Sequence, residues 1–162
     1  MQICLFRLGP QDLPASNFFL GFIVAMSAIV ALLLNLINLP LKDAALIVVL
    51  NLAVVAIITQ FILRLYNKPM RFVQTLGAQV GTGIVISLFA APVVVMLQYA
   101  NTHNVDMASG LFLWMLLLTW EIAITAHILR NALACSFVQG FLIAILYPVI
   151  FFQLTAYFLP SS

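Results

Sequence analysis

LLTWEIAITAHILRNALACSFVQGFLIAILYP, residues 117–148, reads either as the centre of one over-long apolar segment with a re-entrant piece or as two helices that meet near Asn131 to Ser136. A helix crosses a hydrocarbon core of about 30 Å with about 20 residues. The apolar run from 108 to 159 is far longer than one crossing requires. Irregular backbone at membrane depth leaves peptide groups without partners, so two closed helices are expected here. That choice gives the chain five crossings instead of four.

Composition supports the solvent this reading assumes. Of the 162 residues, 65% are hydrophobic and 6% charged, with a mean hydropathy of +1.23. Too few polar side chains remain to cover a water-soluble domain. The expected fold class is therefore an all-α polytopic bundle, with spans at about 17–39, 44–66, 73–98, 108–130 and 136–159. Asn38 with Pro40, Asn67 to Pro69, and Asn101 to Asp106 punctuate the first three breaks. No sequence is left over for a soluble catalytic or nucleic-acid-binding domain. The expected surroundings are lipid and a membrane-protein partner or a second copy of the chain.

Lys and Arg are retained on the cytoplasmic side of a membrane. With the N-terminus inside, Arg7, Arg64, Lys68, Arg71 and Arg130 fall on that side, and only Lys42 falls outside. The expectation is N-in and C-out, with a tail at 160–162 on the outer face. The N-terminal MQICLFRLGPQDLPAS, residues 1–16, is interrupted by Pro10, Asp12 and Pro14. It is expected to be an interfacial segment, not a cleaved signal peptide. Cys4 and Cys135 fall on the same side, where two reduced thiols are the default.

Two features stand out within the spans. In LGAQVGTGIVISLFAAP, residues 76–92, Gly77 and Gly81 have GxxxG spacing, and Gly83, Ser87 and Ala91 continue a small residue every fourth position. Small residues let helix backbones approach, so these stripes are expected to face another helix. The segment lacks the Lys and Ser or Thr of a phosphate loop. The second feature is Glu121, deep within the fourth span. A carboxylate facing lipid at that depth costs several kcal/mol, so it is expected to face the bundle interior. Thr125 shares its face, and Gln79 and Thr82 in the third span lie at similar depth. A polar cluster of Glu121, Thr125, Gln79 and Thr82 is the expectation.

Other constellations carry less. His103, Asp106 and Ser109 occur in catalytic order but without a nucleophile elbow, and are read as a loop and a helix start. His127, Cys4 and Cys135 fit no metal-ligand spacing, and neither a metal nor another cofactor is expected.

The five-helix outline with short loops resembles the Yip1-like membrane proteins. The LFRLGPQDLPAS entry and the later HILRNAL look like those of small proteobacterial inner-membrane proteins of that general shape. The resemblance implies a bacterial inner-membrane bundle and transfers no functional residue, since a long cytosolic N-terminal domain and its motifs are missing. The leading expectation is a non-enzymatic subunit that scaffolds or assembles a larger membrane complex. The alternative is a small transporter or ion-coupling protein that uses Glu121.

Overall fold

Ser16 starts the first helix: its hydroxyl accepts the Phe19 backbone N–H at 3.4 Å, an N-cap that satisfies one of the donors left free at a helix start. The computed structural model describes residues 16–103 and 106–158. The expected interfacial segment with Cys4 and Arg7, and the tail at 160–162, lie outside these. The elements are α1 (Asn17–Asn35), α2 (Leu41–Leu65), α3 (Phe72–His103), α4 (Ala108–Leu133) and α5 (Phe137–Phe158), with a short 3-10 turn at Pro69–Arg71 before α3. The described residues form no strand. All five helices are long and apolar enough to cross a membrane.

The doubtful break is real. Ala134 takes up a left-handed conformation at φ 52° and ends α4, after which Ser136 and Gln139 exchange hydrogen bonds at the start of α5. A non-glycine residue in that region costs about 1–2 kcal/mol. Two cations from the α2–α3 connection bind the carbonyls that α4 leaves without partners. Lys68 Nζ donates to Leu133 O at 2.6 Å, and Arg71 donates to Asn131 O at 3.1 Å and Ala132 O at 2.8 Å. Positive charge at a helix C-terminus also opposes its dipole. Asn67, at φ 56°, makes the corresponding left-handed exit from α2, where Lys68 N–H reaches back to Leu63 O at 2.8 Å.

The contacts fix the topology. Leu20 and Ile23 of α1 approach Gly77 and Gly81 of α3, so those two helices run parallel. Thr59 meets Gln79, Leu97 meets Gly110, and Gly140 meets Ala126, so α2/α3, α3/α4 and α4/α5 are antiparallel. Helices α2, α3, α4 and α5 form a ring in that order, closed by α2 against α5, while α1 packs outside on α3 and α2. Arg64, Lys68, Arg71 and Arg130 all collect at one end of the ring, called here the basic end.

Packing is uneven along the bundle axis. The largest fully buried side chains, Leu63, Ile124, Ile128, Leu129, Thr59 and Thr75, all lie in the half toward the basic end. In α5 the buried residues are Gly140, Ala144 and Tyr147, and none lies beyond them. Pro92 in α3 and Pro148 in α5 sit inside helices on either side of α4, both in the less packed half. Each removes one backbone hydrogen bond and crowds the preceding turn, a local cause for weaker packing there.

Of the small-residue stripe, Gly77 and Gly81 lie against α1, but this is not where backbones come closest. A Cβ on Gly77 or Gly81 would find only α1 side-chain atoms at 3.8 Å and 3.9 Å, which is ordinary contact, and one on Gly83 would find nothing within 4 Å. Ser87 and Ala91 are half-buried. The closest approach is at Gly140, where a Cβ would stand 2.7 Å from Ala126 O. This glycine has no GxxxG partner, so spacing alone does not flag it.

Candidate functional site

Residues spaced by four, seven and eleven positions share one face of an α-helix. On α4 this places Glu121 in line with Gly110, Trp114, Leu117, Thr125, Ile128 and Ala132. Gly110, Ile128 and Ala132 are buried, and the other three are half-buried. The stripe runs between the flanks of α4 that pack on α3, through Ile124 and Trp120, and on α5, through Ala126 and Leu129. Glu121 therefore lies on the core-facing stripe of α4. Yet it is exposed, unlike its neighbours on the stripe. By residue count Glu121 lies at the middle of α4, about 18 Å from its end at Leu133.

Toward the basic end lies a buried polar node. Thr59 Oγ1 of α2 donates to Gln79 Oε1 of α3 at 2.6 Å, and Thr59 Oγ1 and the Tyr147 hydroxyl of α5 stand 3.1 Å apart. A hydroxyl has one proton, so with Thr59 donating to Gln79 the Tyr147 hydroxyl donates to Thr59. Three helices are thus tied by one threonine. Gln79 Nε2 is buried with no acceptor among the described residues. Beyond the node, Ile62, Leu63, Leu129 and Leu133 fill the ring with apolar side chains. The largest buried side chains thus fill the interior toward the basic end.

This arrangement corrects the expected four-residue cluster. Gln79 is bonded to Thr59, and the Thr82 hydroxyl is bonded within its own helix to Ala78 O at 2.9 Å and Gln79 O at 3.0 Å. Thr125 is half-buried one turn from Glu121, and no hydrogen bond joins Glu121 to any of the three among the described residues. The physical reason is a difference of level. Leu97 of α3 meets Gly110 of α4, and counting along these two antiparallel helices puts Glu121 beside the region of Val85 and Ile86, close to two turns from Gln79. Thr59 and Tyr147 are not legible as partners in the sequence, because a lone threonine and tyrosine on separate apolar helices carry no pattern.

Asn51 of α2 behaves as Glu121 does. It shares a stripe with Ala44, Val48, Val55, Ile58 and Ile62, which are buried or half-buried, but is itself exposed. Set against known proteins, the chain matches no family model, no curated protein and no solved structure. The geometry therefore carries the functional argument unaided.

The other polar groups have local roles. Asp106 Oδ1 accepts the Ala108 N–H at 2.9 Å as α4 begins, and His103 Nδ1 lies 2.9 Å from Thr102 Oγ1 and stacks on Tyr99. His127 pairs with Asn131. Among the described residues no group of three His, Cys, Asp or Glu comes together to hold a metal.

Proposed function

We propose that this chain is a small transporter or ion-coupling protein of a bacterial inner membrane, lying N-in and C-out, with Glu121 as its ion- or proton-binding group. The observation that carries the reading is the position of Glu121: mid-helix, on the core-facing stripe of α4, and exposed. Ionisable groups inside membrane spans are costly, and those kept facing an aqueous cavity serve ion and proton pathways. A carboxyl serving only to pair helices would be enclosed and hydrogen-bonded, as Thr59 and Gln79 are. Positive-inside retention of Arg64, Lys68, Arg71 and Arg130 argues for the tightly packed basic end at the cytoplasm.

Purified protein in proteoliposomes under an imposed pH gradient tests this. Wild-type protein is expected to give a flux that Glu121→Gln abolishes, with both proteins inserted equally. Equal flux from the two, or none from either, would refute the reading.

A non-enzymatic accessory subunit is the second reading, and one feature favours it. The face of α4 opposite Glu121 presents an open apolar groove lined by Phe112, Met115, Leu116, Thr119, Trp120 and Ala123. A stable complex containing another membrane protein, disrupted by Leu116→Arg but not by Glu121→Gln, would bring this reading forward.

A further inference from the structure

We infer that Asn51 and Glu121 together form a binding site for one monovalent cation, a proposal that rests on the transport reading and names its ligand class. Asn51 precedes the end of α2 at Leu65 by 14 residues and Glu121 precedes the end of α4 at Leu133 by 12, or about 21 and 18 Å. The two side chains thus lie at nearly one depth. Their helices occupy opposite corners of the ring. Axes on the diagonal of such a ring stand about 13 Å apart, a gap that a glutamate, an asparagine and one ion between them fill. Both side chains lie on core-facing stripes, both are exposed, and neither has a hydrogen-bond partner among the described residues.

The chemistry selects the ligand. A carboxylate and an amide carbonyl are hard oxygen donors, suited to alkali-metal or primary ammonium ions and poorly suited to soft metals. One carboxylate balances one positive charge. No group of three or more His, Cys, Asp or Glu comes together among the described residues, so the acidic ligand set of a divalent ion is lacking there. Thr125, one turn from Glu121 on the same face, offers a further neutral oxygen.

Ligand-dependent stabilisation of the full chain in detergent reads the site directly, because a ligand held only by the folded state raises Tm with its concentration. The probes are Na+ and methylammonium, with N-methylglucamine holding ionic strength constant. Na+, methylammonium or both are expected to raise the wild-type Tm in a saturable way, and Glu121→Gln to remove the response. Asn51→Ala is expected to shift the half-saturating concentration upward at least tenfold, and Asn51→Asp, with a second negative charge, to gain a response to Ca2+. A wild-type response to Ca2+ alone, or an Asn51→Ala curve that overlays wild type, overturns the proposal. Proton flux lost in Glu121→Gln without any cation response sinks this site and spares the transport reading. A cation response without flux does the reverse.

Discussion

Replacing Gly140 by alanine is expected to loosen the α4/α5 contact more than its single methyl group suggests. The new Cβ would stand 2.7 Å from Ala126 O and 3.3 Å from Arg130 N, both backbone atoms. Ordinary carbon-to-oxygen contacts run about 3.3–3.6 Å, so the shortfall is roughly 0.6–0.9 Å. No rotamer relieves it, and the helices themselves must separate. Over-packing of this kind costs about 1–3 kcal/mol. The better helix preference of alanine returns about 1 kcal/mol, so a net loss of about 0–2 kcal/mol is expected, and about 1–3 kcal/mol relative to a glycine-to-alanine change with open space around it. Gly83→Ala is the internal control, since nothing lies within 4 Å of its Cβ and only the helix-preference gain remains. Gly110→Ala is intermediate, because its Cβ meets Leu97 Cδ2 at 2.6 Å, the far end of a flexible side chain. Reversible unfolding in mixed micelles measures all three. If Gly140→Ala proves as stable as Gly83→Ala, the close approach of α4 and α5 is wrong.

Three further outcomes follow from the hydrogen bonds. Thr59→Val leaves both polar ends of Gln79 buried without partners and is expected to cost about 1–3 kcal/mol, against about 1 kcal/mol for Tyr147→Phe. A double-mutant cycle between them is expected to show coupling, and strict additivity would disprove the shared node. Ala134→Gly relieves the left-handed alanine and is expected to stabilise by about 0.5–1 kcal/mol; a loss of stability would contradict the helix end. Removing Lys68 or Arg71 as alanine is expected to cost about 1 kcal/mol each by freeing the last carbonyls of α4, and faster amide exchange at residues 131–135 is the local readout. No change there would refute their capping role.

The sequence by itself determined the helical class, the number of long apolar helices and, within a few residues, where most begin and end. Those properties are local: apolar length, proline and asparagine punctuation and the absence of solvating charge are written along the chain. Tertiary structure alone decided the partners. Which residue of α3 lies level with Glu121 depends on the sliding register of two helices, and that register is read from contacts such as Leu97 with Gly110. The same register brings Thr59, Gln79 and Tyr147 together, gives Lys68 and Arg71 the end of α4 to cap, and makes Gly140 the tightest approach instead of Gly77 and Gly81. In apolar surroundings hydrophobic patterning does not distinguish one neighbour from another, so pairing rests on shape and on a few hydrogen bonds, and neither is legible until the helices are packed.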